Sequence, residues 1–383
     1  MAYLIIFLIF TAFGCYNLTE SYRQNKESQA FLYSVAFIIL TCFAGLRYHT
    51  GADWPNYELH YDTILPRIDK FFEFRYEFFD PMHFEIGYVY LSSIVKTMGL
   101  DITVVFFIAV VMNIIGAFIL IRQFSPYPFV ALLGFYAYNY IQYNFAGVRQ
   151  AIAFLFMAIA FQHLYKRNFW RYALFIIIGF FFHSSIIVFI PLFFIPFHKA
   201  TNVKLVVAAL LIAFMINLFF PITEVISMLS RVGVLPEFVN NKLLSYLTRD
   251  DYGAGRGFGI GFILKLLIFL FGLRYRQYLR ENTPYFDFVF NIFCLYFFIW
   301  TLTNSFEVLI SRYSLYFQIF QEILLSYFLL VIPVRKSMRI TFFAVFLVGM
   351  SFYFMSGLYR GTIAKEYNPY KNYLFYKWPF ESN

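Results

Sequence analysis

The sequence predicts an all-α polytopic membrane protein, on three observations. Of its 383 residues 61% are hydrophobic, only 13% are charged, and the apolar residues gather in long runs joined by short basic connections. A soluble domain is nearer half apolar and a quarter charged. The formal charge of +9 arises from 30 Lys and Arg against 21 Asp and Glu. In a soluble chain that balance would suggest nucleic acid, but here the positive-inside bias of membrane proteins accounts for it first. The aromatic share of 24%, mostly 56 Phe and 32 Tyr, exceeds what interfacial belts need. The plain reading is codon usage, because the codons of Phe, Ile, Tyr, Asn and Lys are rich in A and T and an AT-rich genome would favour them.

The N-terminal run MAYLIIFLIFTAFGCY has neither the basic region nor the small-residue cleavage site of a signal peptide, and is read as a retained first span. Further apolar segments able to cross roughly 30 Å of hydrocarbon lie near residues 29–46, 102–121, 128–143, 148–164, 205–220, 257–273, 288–303, 313–332 and 340–358. Two more short ones flank His183. The connections 19–28, 122–127, 166–171, 198–204, 274–287 and 333–339 carry 14 Lys and Arg, so all six are placed in the cytoplasm.

That placement forces two irregularities. If 166–171 and 198–204 share a side, the 26 residues between them must enter and return as a re-entrant pair of half-length helices with FFHSS at the tip. If 19–28 and 122–127 share a side, residues 84–98 cannot be a full span. That stretch contains Glu85 and Lys96, and reads as an interfacial amphipathic helix. The expectation is one integral membrane domain over residues 1–383, with about twelve membrane segments, both termini outside, and large outer loops at about 47–101 and 221–259.

Ionisable residues near membrane depth are costly and are functional candidates by default. Arg47 closes the second span in FAGLRYHTGADWPNY, Arg149 opens another in NFAGVRQAIAF, His183 sits at the hairpin tip in GFFFHSSII, and Arg312 opens a later span in LISRYSLYF. All four fall on the outer face of a topology fixed by other residues. Any one arginine at a helix end could simply reach for headgroups; three on one face with a histidine at mid-depth make a stronger pattern. Asp53 and Glu85 are either catalytic carboxylates or solvated ones. Asp62, Asp69, Glu73, Glu77 and Asp80 are read as solvated, and Lys265 as snorkelling or paired.

Several chemistries are excluded by what is missing. There is no Asp-x-Asp and no P-loop, and no His, Asp and Glu cluster has metal-ligand spacing. Cys15, Cys42 and Cys294 lie in apolar runs without a Cys-x-x-Cys pair. HTGAD is one residue too short for an acyltransferase box, and GAGRGFGIG at 253–261 precedes a span, so it is read as a hinge. A cationic, aromatic-lined outer cavity remains. Arginine forks grip phosphate bidentately, and Trp54, Tyr57 and Tyr313 offer faces for sugar rings. Glycosyl transfer from a lipid pyrophosphate needs charge neutralisation and a general base, both of which these residues can supply.

In this order, GLRYHTGADWPNY with FEIGY, GVRQAIAFLFMAIAF, FHSSIIVFIPLFF, SRYSLYF and a closing NPYKNYL resemble the EpsG family, a Wzy-type branch of bacterial polysaccharide polymerases. The resemblance implies a GT-C-like glycosyltransferase of the bacterial inner membrane, with its active site on the periplasmic side and with neither cofactor nor metal. It implies a reaction that serves capsule, exopolysaccharide or O-antigen synthesis. In it, a chain growing on undecaprenyl pyrophosphate passes to the next lipid-linked repeat unit. The donor and acceptor lipids are then its partners, with a flippase and a chain-length regulator alongside and no nucleic acid.

On matching positions the resemblance carries over Arg47, Asp53, Tyr57, Glu85, Arg149, Gln150, His183, Arg312 and Tyr313. Arg149 and Arg312 are assigned to the donor pyrophosphate, Arg47 to the same group or to the acceptor lipid, and His183 to the base, with Asp53 or Glu85 as the competing base. The rival readings are a glycan ligase of the same class and a flippase for lipid-linked glycan.

Overall fold

The computed structural model describes residues 2–68, 84–232, 258–306, 309–331 and 364–376, with isolated positions at 341, 343 and 349. The acidic stretch at 69–80, the start of the glycine-rich hinge, the basic connection 333–339 and most of the last expected span lie outside these residues. Among them every element is helical. The chain divides into two compact units, residues 1–194 with 332–383, and residues 195–331.

In the first unit α1 (Ala2–Asn17), α2 (Glu20–Gln24) and α3 (Lys26–Gly45) are followed by the short α4 (Trp54–Leu59), which runs into a π turn at His60–Ile64. Then come α5 (Ile86–Thr97), α6 (Ile102–Phe124), α7 (Pro128–Phe135), two π stretches over Tyr136–Tyr140 and Gln142–Ala146, α8 (Val148–Tyr165) and α9 (Phe169–Phe180). A 3₁₀ segment, Ser184–Phe194, follows, and near the C-terminus the single turns α16 (Ala364–Tyr367) and α17 (Tyr373–Tyr376) return to this unit. In the second unit lie α10 (Val203–Phe219), α11 (Ile222–Val232), α12 (Ile260–Arg274), α13 (Arg276–Asn282), α14 (Phe286–Thr303), and a π turn at Ile310–Ser314 leading into α15 (Leu315–Val331).

Among the described residues five segments are long and apolar enough to cross a bilayer: α3, α6, α8, α14 and Arg312–Val331; α10 with α11, bent by 61°, makes a sixth. This is a multi-pass membrane protein. Lipid also explains the apolar exterior, where Trp170, Leu205, Leu211, Ile212 and Ile260 are 58–81% exposed. A surface of that kind is tolerated in hydrocarbon and not in water.

Helix starts follow side-chain chemistry that the sequence displays. Asn25, Asn168 and Asn202 accept from the backbone N–H groups of Ser28, Arg171 and Leu205, and Asp101 accepts from Thr103. Each satisfies a donor that the first helical turn leaves open. The bend between α10 and α11 falls at Pro221, and the Ile222 N–H is satisfied by Ser305 Oγ at 3.1 Å.

The hairpin around His183 is present as expected, with one difference. Its first half is α-helical but its second is 3₁₀, with Pro191 inside it. A 3₁₀ helix rises about 2.0 Å per residue against 1.5 Å for an α-helix, so the second half reaches farther for its length. Helix α5 is twelve residues long, too short to span. Its inward face carries Tyr88, Ser92 and Val95, while Ile86, Tyr90 and Ile94 stand exposed at intervals of four. Lys96 near its end donates to the carbonyls of Tyr61 and Leu65 at 2.5 and 2.9 Å, capping the π turn after α4. That is where a cation best meets a helix terminus.

Gly51 shows how the first motif is shaped. It has φ 115°, and a Cβ there would stand 2.2 Å from the Phe145 carbonyl oxygen. Its N–H donates to Glu366 O at 2.9 Å. We expect Gly51→Ala to lower stability by at least about 2 kcal/mol from strain and overlap together. Thermal unfolding in detergent would measure it, and a melting point equal to wild type would contradict the account.

Candidate functional site

Four of the residues singled out by sequence are brought together in the first unit. Arg149 is the second residue of α8, entered through the π stretch that ends at Ala146. A cation at a helix N-terminus opposes the helix dipole, so it needs a counter-charge. Glu85 supplies one: its Oε2 pairs with Arg149 Nη1. The Arg149 Nε donates to the Tyr57 hydroxyl at 3.0 Å, and its guanidinium lies 4.4 Å from the centre of the Phe84 ring. The Arg149 and Glu85 side chains keep 18% and 16% of their surface exposed, so the pair is sheltered but reachable.

Glu85 has a second task. It precedes α5 without capping it, and its Oε1 accepts from the Ser184 N–H at 3.0 Å and the Ser184 hydroxyl at 3.2 Å. One carboxylate therefore ties the start of α8 to the start of the 3₁₀ segment. Helix α5 and the end of α9 also approach closely, with Gly87 N–H donating to Phe181 O at 2.8 Å. A Cβ on Gly87 would lie 2.6 Å from that oxygen, which is why the motif reads FEIGY. Burial pushes the Glu85 carboxyl upward, but Arg149, His183 and the Ser184 N–H outweigh it and hold it below its usual value. Burial pushes the Tyr57 phenol up to about 12 against the pull of Arg149, so it stays neutral and hydrogen-bonds as a hydroxyl. Its ring stacks on Phe84 at 4.8 Å and meets Tyr88 edge-on at 5.3 Å.

His183 occupies the turn of the hairpin, 6% exposed, with Nδ1 2.6 Å from Ser185 Oγ. Gln150 is buried next to Arg149 in α8. Asp53 stands half-buried before α4 without capping it, and its charge acts on both Tyr57 and Arg47.

Arg47 is placed differently from what a ligand-gripping arginine requires. It is 1% exposed, and its guanidinium lies 4.5 Å from the Phe106 ring, 5.2 Å from Phe145 and 5.8 Å from Trp54. Nη1 donates to Ala44 O at 2.9 Å, while Nε is buried with no hydrogen-bond partner. Burial pulls its pKa down to about 10, so it is charged at neutral pH. Its backbone bridges to Asn372, flanked by Tyr48 N–H to Lys371 O and Tyr373 N–H to Leu46 O. The NPYKNYL tail is thus a strap over the first motif, with Tyr370 stacked on Phe43 at 4.5 Å. Trp54, offered by sequence as a face for sugar, is 3% exposed and already covered by Arg47, His49 and Phe106.

Arg312 and Tyr313 belong to the second unit, both half-buried on the π turn that opens α15. In the same unit Lys265 is buried over Trp300, 4.2 Å from the ring centre, with Tyr296 at 5.2 Å, and does not snorkel. Glu322 is not among the residues named above, although a carboxylate inside an apolar run is a visible signal. It is 1% exposed, with one oxygen accepting from Gln321 at 3.2 Å and the other without a partner. Ser184 was also missed, because nothing in the sequence shows that position 85 reaches it. Among the described residues no group of three or more His, Cys, Asp or Glu could hold a metal ion.

Fold and site together define a multi-pass helical membrane protein with a sheltered guanidinium, carboxylate and phenol at the tip of a broken-helix hairpin. The chain belongs to the EpsG family, whose model matches residues 30–372. No curated protein and no solved structure matches it.

Proposed function

We propose that this protein polymerises lipid-linked oligosaccharide repeat units, moving the growing glycan from undecaprenyl pyrophosphate to the next lipid-linked unit at the outer face of a bacterial cytoplasmic membrane. Family membership supports the class of reaction. The observation that carries the site is Arg149, sheltered and held by Tyr57 and Glu85. The remaining parts of the reading are a GT-C-like bundle of about twelve segments, an inverting transfer without metal, and a flippase and chain-length regulator as partners.

In this reading the donor pyrophosphate takes up the Arg149 fork, which neutralises charge on the departing group. Glu85 is then the internal anion that keeps Arg149 charged, aimed and desolvated before substrate arrives. His183 is the base that takes the acceptor hydroxyl proton as the glycosidic bond forms and the bond to pyrophosphate breaks. With Nδ1 donating to Ser185, Nε2 is the nitrogen that receives it. Arg312 is a second candidate for phosphate and is tested in the same way.

The experiment is polymerisation of a purified lipid-linked repeat unit by the full chain in detergent or nanodiscs. His183→Ala is expected to leave single lipid-linked repeats unpolymerised, a loss of roughly 10²–10⁴-fold for a general base. Normal polymer from that variant would remove His183 from the role. If the wild type extends nothing and instead moves finished chains to another acceptor, the ligase reading replaces this one. Translocation of the lipid without any extension would favour a flippase.

A further inference from the structure

We infer that the groove where α12, α13 and α14 meet binds the phosphate of an anionic membrane phospholipid. The groove is a cavity of about 800 Å³ whose lining includes Arg274, Arg276, Gln277, Arg280, Thr283 and Asp287. It lies at the short connection between two apolar helices, Ile260–Arg274 and Phe286–Thr303, at the start of the second, which is long and apolar enough to cross a bilayer.

The charges in the groove are not all satisfied internally. Arg280 Nε donates to Asp287 Oδ2 at 2.7 Å, and Gln277 donates to Glu281 at 3.1 Å. Arg274 and Arg276 form no ion pair with a described carboxylate, and Arg276 Nε is buried without a hydrogen-bond partner. Arginines that serve only to orient a chain are solvated and need no cavity. The buried Nε is closed to any ligand, so the terminal nitrogens of Arg274 and Arg276, both lining the groove, are the donors a phosphate would meet, and phosphate fits a guanidinium bidentately.

The adjoining helix surface specifies the rest of the ligand. Ile263, Leu267 and Leu270 are 53%, 58% and 50% exposed on α12, at spacings of four and three, so they form one stripe. Arg274, four residues on, ends that stripe in the groove. An apolar track ending in a cationic pocket matches an acyl chain attached to a phosphate, as basic pockets between membrane helices do for anionic headgroups.

The test uses the full chain in phosphatidylcholine nanodiscs titrated with phosphatidylglycerol, bound lipid being counted by native mass spectrometry. Retained phosphatidylglycerol is expected to exceed phosphatidylcholine, and Arg274→Gln with Arg276→Gln to weaken it about fivefold for each arginine removed. Lys199→Gln with Lys204→Gln removes the same charge from another exposed connection of this unit and should change nothing. Equal losses in both double variants would mean plain surface charge and overturn the site. Equal retention of the two lipids by the wild type would overturn it without recourse to any variant. Displacement by inorganic pyrophosphate at matching concentration would show a soluble anion as the ligand, and would also overturn it.

Discussion

Arg149→Lys is expected to lower polymer formation from purified lipid-linked repeats by roughly 100-fold, the scale on which a preorganised transition-state donor acts. Lysine keeps the positive charge but has no planar fork. In the structure the fork is divided: Nε faces Tyr57 and Nη1 faces Glu85, while the plane lies over Phe84. An ammonium could satisfy one of these partners but could not stack and hydrogen-bond in two directions. Binding of the lipid should weaken less than turnover falls, because the fork matters most when charge develops on the departing pyrophosphate. Activity within a few-fold of wild type would show that plain charge suffices at this position.

The second large effect is on stability. Glu85→Ala should cost about 3–5 kcal/mol, the usual penalty for leaving a sheltered ion without its partner. The double variant Glu85→Ala with Arg149→Ala should cost less than the sum of the two singles, since neither charge is then stranded. Additive losses would mean that the two residues act independently, against the geometry. Acid titration adds a check specific to Glu85. A carboxyl held below its usual 4.5 stabilises the fold at pH values above that point, and this contribution is lost as pH falls through the lowered value. Glu85→Gln should therefore flatten the loss of stability below pH about 4.5, and an unchanged acid limb would count against the pairing. Ser184→Ala should weaken the same tie by less, because the Ser184 backbone N–H still reaches Glu85.

The residues themselves explain which parts were legible. Apolar runs announce membrane helices because lipid demands them. The hairpin followed from charge placement, since 26 residues between two basic connections on one side must enter and return and are too few for two full spans. Arg149 and His183 could be named because charged and polar groups near hydrocarbon are costly enough to be rare, and Tyr57 and Glu85 because the resemblance to the family carries them over. Their partnership could not: positions 57, 85, 149 and 184 are far apart in sequence, and ion-pair geometry leaves no periodic trace. Arg47 shows the limit most clearly. In sequence it resembles Arg149, an arginine at a helix end in a glycine-containing motif. In three dimensions one is sealed among Phe106, Phe145 and Trp54 under a C-terminal strap, and the other keeps an accessible edge beside a carboxylate.

A helical membrane protein of the EpsG family was legible from the residues alone, as was a short list of candidate polar residues. Both follow from composition and local order, because burial of apolar side chains and the cost of charge in lipid act on each segment separately. Tertiary packing alone joins Glu85 to both Arg149 and Ser184, seals Arg47 under the C-terminal strap, and sets Arg276 in the lining of a groove. Those outcomes depend on which segments meet, and a guanidinium takes its role from the carboxylate, ring or open space that packing sets beside it.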